Sequence, residues 1–270
     1  MKLKIVSNTL KYIRTASALD NYLNEKYISL VDEKTRNALN GGRTIIGVSI
    51  FEASKHRKAD IETAAKAELA ARLATLLKDV MDGDVRRGVQ TPYIEFKEKD
   101  VWRIVYKFFN LGVFDESDIE MAMRTYEIVR KEDELRFMRI QPNLQTYLAI
   151  VDGKTGKFVE HFASKVTNQR IANGSRRLAD GMQIIDDFND RGYNISTGRY
   201  TLPSIDQKMA RSIALEYFRR AKESFYNSSS LLYSMAEFGE FLVFFPFLDK
   251  ATYLPSNPKT FARLMFKNHN

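Results

Sequence analysis

The chain has 270 residues, of which 44% are hydrophobic and 12% aromatic, so it is long enough to bury a substantial core. It contains no cysteine, which excludes a disulfide scaffold, a cysteine-ligated zinc site and a thiol nucleophile. A formal net charge of +8 favours polyanionic partners, nucleic acid above all.

The first part of the chain predicts helices with one strand between them. Residues 1–40 have a mixed helical pattern. The following stretch TIIGVSIF (44–51) favours a strand, with the start of a buried helix as the alternative. Over residues 59–81, alanine and leucine recur on one face, which predicts an amphipathic helix.

Two more helices are predicted before the middle of the chain. The apolar stretch at 101–114 indicates a buried helix. Ser117 and Glu120 have the spacing of a capping box, which would begin a helix that runs through about Glu134.

The stretch LQTYLAIVDGKTGKFVEHF (144–162) contains the tripeptide GKT, which also ends phosphate-binding loops. Such a loop requires a glycine at the position of Leu148 and a helix after the lysine. The flanking segments TYLAIV and KFVEHF instead favour two strands around a polar turn that contains Asp152 and Gly156. The sequence therefore predicts a β-hairpin with a lysine at its tip.

The second half of the chain begins with its least regular part, residues 163–203, which is rich in turn signals. Ser204 and Gln207 then form a second predicted capping box. The helix that follows is expected to run to about Phe238, with a possible break near NSSS (227–230).

An acidic cluster in this half offers Asp186, Asp187 and Asp190 as candidate Mg²⁺ ligands. Adjacent aspartates point in different directions on a regular element. Asn189 and Gly192 lie beside them and are typical of a helix end with a solvated turn. We therefore favour the solvated turn and expect no metal site in the chain.

Several arginines lie next to glycines or in turns, where the backbone can approach a phosphate and the guanidinium can bind it bidentately. These arginines are Arg43, Arg86, Arg87, Arg176, Arg177 and Arg199. Each could also be an ordinary solvated arginine, but together they favour nucleic-acid binding.

The predicted helix after Gln207 carries basic residues on one face. They are Lys208, Arg211, Arg219 and Lys222. The face opposite is apolar, so the purely structural interpretation is an amphipathic helix with a solvated basic side. The functional interpretation is a face that follows a nucleic-acid backbone.

Three segments in this order resemble the N-terminal portion of the single-subunit RNA polymerases of phages and mitochondria. The first is DIEMAMRTYEIV (118–129) with the segment 144–162, which resembles the helix and intercalating hairpin of that family. The second, ARSIALEYFRRAKESF (210–225), resembles its thumb helix, and the third, FFPFLDKATYLPSNP (244–258), resembles the segment before its Gly-Arg motif. The chain has no Gly-Arg pair after Asp249, and the pair Gly198-Arg199 precedes the thumb-like helix.

The resemblance implies the small subunit of a heterodimeric phage RNA polymerase, because the palm and fingers of that family would lie beyond residue 270. The chain would contact promoter DNA and transcript and dock to a larger catalytic subunit. It would be one part of a nucleotidyltransferase and inactive alone. The chain would hold no cofactor, and Mg²⁺ would be bound by the partner subunit. No membrane partner is expected, and the location would be the cytoplasm of the infected host cell.

The hairpin would then act at the melted promoter, where apolar side chains stack on an exposed base pair. Ile150, Val151 and Phe158 would form the wedge, and Lys154 and Lys157 would hold phosphates.

The expected fold class is mainly α with a few short strands or hairpins. An N-terminal nucleic-acid-binding domain would span residues 1–165, with its hairpin at 144–162. A thumb-like helix and a partner-docking segment would occupy residues 166–270. The alternatives are a stand-alone DNA- or RNA-binding phage protein and a structural or assembly protein.

Overall fold

The computed structural model describes residues 2–39, 45–54, 58–81, 96–138, 140–189 and 207–244. Within these ranges the fold is an all-α bundle without strands. The helices are α1 (Lys2–Lys26), α2 (Glu33–Leu39), α3 (Ile45–Ala53), α4 (Lys58–Met81), α5 (Glu98–Asn110), α6 (Glu116–Phe137), α7 (Leu144–Val151), α8 (Lys157–Ser164), α9 (Gln169–Asn189), α10 (Gln207–Phe225) and α11 (Ser230–Phe244). A 3₁₀ turn at Ile28–Leu30 follows α1, and a π turn at Asp152–Gly156 joins α7 to α8.

The predicted mixture of helices and short strands is wrong for this part of the chain. The strand-like stretch at 44–51 enters α3, where Val48 and Ile50 are fully buried. The predicted hairpin at 144–162 is α7, the π turn and α8 in one helical rod. Preferences of β-branched residues are weak, and burial on a helix against other helices overrides them.

The helices predicted at 59–81 and 101–114 are confirmed as α4 and α5, with shifted ends for α5. The helix predicted from Ser117 is α6, but a different pair of residues caps it. The N–H of Asp118 donates to Asp115 Oδ1 at 3.0 Å, and the N–H of Asp115 donates to Asp118 Oδ2 at 3.1 Å. Aspartates therefore fill both roles of the capping box.

The second half of the chain is more regular than its turn signals predict. Most of the segment 163–189 is one helix, α9. The predicted break near 227–230 is confirmed, since α10 ends at Phe225 and α11 begins at Ser230. Asn227 has the left-handed backbone conformation between them, with φ of 63°. The tail segment 245–258 of the resemblance lies outside the described residues.

The helices α9, α10 and α11 approach closely around one aromatic ring. Phe218 of α10 is fully buried, and glycines from both neighbouring helices face its ring. A Cβ atom would lie 2.8 Å from Phe218 Cε1 at Gly181, and 2.4 Å from it at Gly239. These distances are too short for any side chain, so glycine permits this packing.

A second hydrophobic cluster joins α1, α3, α4, α5 and α8. Beside it, α4 carries a buried ionic network. Arg72, with a side chain only 3% exposed, donates to Glu68 Oε1 at 3.2 Å and to Asp20 Oδ1 at 2.6 Å. It also donates to the carbonyl of Leu39 at 3.0 Å. The network ties α1, α2 and α4 together.

None of the helices in the described ranges has both the length and the apolar character needed to cross a membrane. The predicted division into residues 1–165 and 166–270 stays a prediction.

Candidate functional site

The π turn between α7 and α8 is the feature around which polar groups gather. Its sequence, DGKTG, closes with a bond from the N–H of Lys157 to the carbonyl of Asp152, five residues earlier. Both glycines are buried: a Cβ atom on Gly153 would lie 2.3 Å from Ile128 Cδ1 of α6, and one on Gly156 would lie 2.3 Å from Asp180 Oδ1 of α9. The turn is thus clamped between α6 and α9. Single π turns within helices are frequent at functional sites.

Lys154 projects from this turn into an ion pair with Glu132 of α6. Its Nζ lies 3.0 Å from Oε2 and 3.2 Å from Oε1 of the carboxylate. The side chain of Lys154 is 9% exposed and that of Glu132 is 1% exposed. A nearly buried ion pair that is well bonded is costly to assemble, so its presence beside a π turn indicates a specific role.

Asp187, near the carboxyl end of α9, is held by hydrogen bonds on both oxygens. The hydroxyl of Tyr147 donates to Oδ2 at 3.0 Å, and Nε2 of Gln183 donates to Oδ1 at 2.7 Å. The hydroxyl of Thr155, next to Lys154, donates to Oε1 of Gln183 at 3.3 Å. A continuous chain of hydrogen bonds therefore connects the π turn to Asp187.

Burial raises the pKa of Asp187, and the charges of Glu132 and Asp186 raise it further. Lys154 and Lys78 oppose this rise. Burial also raises the pKa of Tyr147, with Asp187 as the next cause, so the phenol stays protonated and can donate. The site thus holds two cations near a group of carboxyl groups, and of its members Glu132 and Tyr147 are buried.

Lys78, near the end of α4, links this polar group to an apolar cavity of about 60 Å³. The cavity lies among α4, α5, α6 and α8, and Leu77, Trp102, Val129 and Phe158 are among its walls. Two polar side chains, Asp118 and Thr125, also line it, and the hydroxyl of Thr125 has no hydrogen-bond partner. An apolar cavity beside a charged group is suited to a ligand with a hydrocarbon part and an ionic head.

The residues predicted to form the hairpin wedge are inside the bundle. Ile150 is 4% exposed, Val151 is 1% exposed and Phe158 is 6% exposed. Of the two predicted phosphate-binding lysines, Lys154 is paired with Glu132, and Lys157 is exposed with its Nζ 3.9 Å from Asp152 Oδ2. Nothing tests their role in nucleic-acid binding, but the hairpin on which it depended is absent from this segment.

Among the predicted basic residues that the structure describes, the surroundings differ. Arg176 binds Asp152 of the π turn with Nε at 2.6 Å and Nη2 at 2.8 Å. Its neighbour Arg177 is partly buried. Arg43, Arg86, Arg87 and Arg199 lie outside the described residues.

On α10, Lys208 and Arg219 are exposed, Arg211 is partly buried, and Lys222 donates to Glu240 of α11 at 2.6 Å. Nothing tests the predicted nucleic-acid role of this face.

Sequence reasoning placed Asp186 and Asp187 at a solvated helix end, and it missed the partners Glu132, Tyr147 and Gln183. Asp187 does lie near the end of a helix, but it is bonded on both oxygens. Asp190 lies outside the described residues. The signal that could have found the site is the pair of segments GKT and DD, if both had been placed on helices.

No protein-family model and no curated protein sequence matches the chain. Solved structures do match it, and all are at low sequence identity. A polyprenyl synthase from Caulobacter crescentus, complexed with calcium and isoprenyl diphosphate, has a TM-score of 0.63 at 16% identity, over 87% of this chain and 97% of its own. A geranyltransferase from Legionella pneumophila has a TM-score of 0.64 at 13% identity, over 90% of this chain and 99% of its own. A decaprenyl diphosphate synthase from Rhodobacter capsulatus has a TM-score of 0.63 at 13% identity, over 88% of this chain and 97% of its own.

The chain therefore has the all-α fold of the polyprenyl diphosphate synthases. This finding overturns the resemblance to the small subunit of a phage RNA polymerase, which rested on short segments. It also overturns the function expected from it, a nucleotidyltransferase subunit in transcription, and both alternatives. The segment taken for an intercalating hairpin is a helix in the middle of this bundle, and the thumb-like helix is one of three that pack around Phe218.

Proposed function

We propose that the protein binds a prenyl diphosphate and acts as a prenyltransferase similar to the polyprenyl synthases. One observation carries the proposal: Lys154 and Lys78 both lie close enough to Asp187 for their charges to act on it, and Lys78 also lines an apolar cavity. A prenyl diphosphate has the matching composition, an ionic head and a hydrocarbon tail. The shared fold, whose solved examples include a complex with calcium and isoprenyl diphosphate, supports the assignment.

The diphosphate head would be bound by Lys154, with Lys78 beside it. Lys154 is held in place by Glu132 and by the rigid π turn, so little conformational entropy is lost when it binds an anion. The ion pair also keeps the lysine charged within a nearly buried position. An incoming diphosphate would share Lys154 with Glu132.

Carboxylates repel a diphosphate, so Asp186 and Asp187 require a cation between them and the head group. Within the described residues, no three acidic or histidine side chains form a metal cluster. Mg²⁺ is commonly bound by one or two carboxylates together with substrate phosphates. Asp187 would supply a carboxylate, and the cation would neutralise the charge of the diphosphate as it leaves.

The prenyl tail would enter the apolar cavity among α4, α5, α6 and α8. At about 60 Å³ the cavity is small, and a cavity that takes up benzene has roughly 150 Å³. The aromatic walls, Trp102 and Tyr126, must therefore move when a tail enters. These walls pack edge to face, with ring centroids 5.4 Å apart. Their role in the reaction would be to exclude water from the tail.

Some earlier expectations remain untested. A cytoplasmic location, without the infected host that the polymerase resemblance implied, is part of the proposal. The expected partners, a catalytic polymerase subunit, DNA and RNA, stay untested and form no part of the proposal.

Isothermal titration calorimetry with inorganic diphosphate, with and without Mg²⁺, tests the head-group site. We expect binding that depends on Mg²⁺ and that weakens by at least about tenfold, or about 1.4 kcal/mol, in Lys154→Met at a temperature where circular dichroism shows that this variant is folded. Asp187→Asn should weaken the dependence on Mg²⁺. Lys157→Met is the matched control, because Lys157 is the next lysine along the chain and its side chain is 57% exposed.

Incubation with an isoprenyl diphosphate and a short prenyl diphosphate then tests the transfer reaction, with product length followed by mass spectrometry. Equal affinity in Lys154→Met and wild type would contradict the head-group site. Tight binding without any prenyl transfer would leave a diphosphate-binding protein and contradict the enzymatic part of the proposal.

A further inference from the structure

A buried carboxyl group, Asp180 of α9, packs directly against the backbone of the π turn. Asp180 is 2% exposed, and its Oδ1 atom has no hydrogen-bond partner. A Cβ atom on Gly156 would lie 2.3 Å from Oδ1 and 2.6 Å from Oδ2. The end of the turn therefore rests on this carboxyl group, and only glycine leaves room for it.

Several charged or titratable groups face Asp180 from the surrounding elements. They are Asp152 of the π turn, Arg176 and Arg177 of α9, and Tyr217 of α10. Burial, and then the charge of Asp152, raise the pKa of Asp180 to about 8, while both arginines and the N–H of Gly156 oppose the rise. Tyr217 is affected in turn: burial raises its pKa, and the charges of Asp180 and Asp152 raise it further.

Arg176 acts on Asp180 only through its charge, because its hydrogen bonds go to other carboxylates. Two of them bind Asp152, and Nη1 donates to Glu160 Oε2 of α8 at 3.0 Å. An ionised Asp180 would place a second negative charge beside Asp152, with one oxygen buried and without a donor. Buried charges of this kind are costly, and the simplest relief is a proton.

We propose that Asp180 is a positioning residue, held as a neutral carboxylic acid, which fixes the π turn and thereby the place of Lys154. The inference deepens the proposed function, because Lys154 lies in the same five-residue turn as Gly156. Ionisation of Asp180 would push the turn away from α9 and move the lysine relative to Asp187. Asp180 itself does not touch the diphosphate.

The first test needs no ligand. Labelling with ¹³C-carbonyl threonine and ¹⁵N glycine leaves two Thr-Gly amide signals in the full chain, from Gly156 and Gly198. Gly198→Ala assigns them by removing one. We expect the Gly156 signal to shift with pH in a single step whose midpoint is at about pH 8. In Asp180→Asn this pH-dependent shift should be absent. A midpoint near the ordinary aspartate value, or a step that persists in Asp180→Asn, would overturn the inference.

The second test measures the affinity for inorganic diphosphate in the presence of Mg²⁺, at a pH below that midpoint and at a pH above it. The quantity compared is the affinity of wild type divided by the affinity of Asp180→Asn at the same pH. The ratio cancels the titration of the ligand. We expect the asparagine variant to keep affinity within about threefold near neutral pH, whereas wild type loses about tenfold relative to it at alkaline pH. Asp180→Leu, which cannot bond the turn, should lose affinity at every pH. Glu216→Gln, an exposed acid on α10, is the control and should follow wild type.

The two tests separate this inference from the proposed function. A constant ratio across pH, with diphosphate bound in every variant, would overturn the positioning role and leave the diphosphate site intact. A pH-dependent shift of the Gly156 signal near pH 8 without any diphosphate binding would contradict the proposed function. It would still support the neutral state of Asp180 and its contact with the turn.

Discussion

Removing Lys154 while keeping Glu132 should destabilise the fold strongly. Nζ lies 3.0 Å and 3.2 Å from the two oxygens of a carboxylate that is 1% exposed. At that separation the direct attraction is about 5 kcal/mol for an effective dielectric constant near 20. Burial of both charges costs several kcal/mol for each ion, so the pair as a whole contributes little. The single variant Lys154→Met keeps the buried carboxylate and loses the attraction, and should cost about 3–5 kcal/mol.

The matching experiment is a double-mutant cycle by urea denaturation near pH 7. Lys154→Met and Glu132→Leu should each be strongly destabilised. The double variant, which lacks both charges of this pair, should be more stable than either single variant. Lys157→Met should be within about 0.5 kcal/mol of wild type, because the side chain is exposed. A double variant that loses the sum of the two single losses would refute the reasoning, since the charges would then be independent.

The remaining predictions concern the packing and the second buried network. Arg72→Met leaves the buried Glu68 without its cation and should cost about 3–5 kcal/mol in denaturation experiments well above pH 7, where Glu68 is ionised; a loss below about 1 kcal/mol would show that the network is solvated. Burial raises the pKa of Glu68 from 4.5 to about 7. Between these two pH values the folded protein holds a proton that the unfolded chain has released. The free energy of unfolding due to this group should therefore fall as the pH rises from 4.5 to about 7. Glu68→Gln should flatten that part of the stability profile, and an unchanged slope would contradict it. Gly239→Ala places a methyl group against the Phe218 ring and should lower the free energy of unfolding by about 1–3 kcal/mol, whereas Gly112→Ala, where a Cβ atom meets nothing, would be destabilised only by its φ of 70°.

The sequence was sufficient to locate the helices that have strong periodicity. The alanine- and leucine-rich α4 followed from it, because local spacing determines which face is buried. The end of α10 followed from the polar run NSSS at 227–230. The segments α3 and α7 to α8 were misassigned, since β-branched and aromatic residues have the same local preferences in a strand and in a fully buried helix.

The candidate site escaped sequence analysis for a related reason. Its members come from α4, α6, α7, the π turn and α9, which are far apart along the chain and meet only in the bundle. With 144–162 taken as a hairpin, Lys154 was expected at an exposed tip, far from Asp187. The glycines of the DGKTG segment were interpreted as turn residues, whereas they provide room for Ile128 and for Asp180.

The π turn has a consequence for how this protein can change in evolution. It holds one more residue than a regular α turn, because its closing hydrogen bond spans five residues and not four. A single-codon deletion within the segment 152–156 would let α7 and α8 join as a regular α-helix. The bond from the N–H of Lys157 to the carbonyl of Asp152 would then be an ordinary α-helical bond, so α8 and its buried Phe158 and Phe162 would keep their register. Only the turn itself would change, and with it the place of Lys154, so the extra residue matters to the site and not to the core.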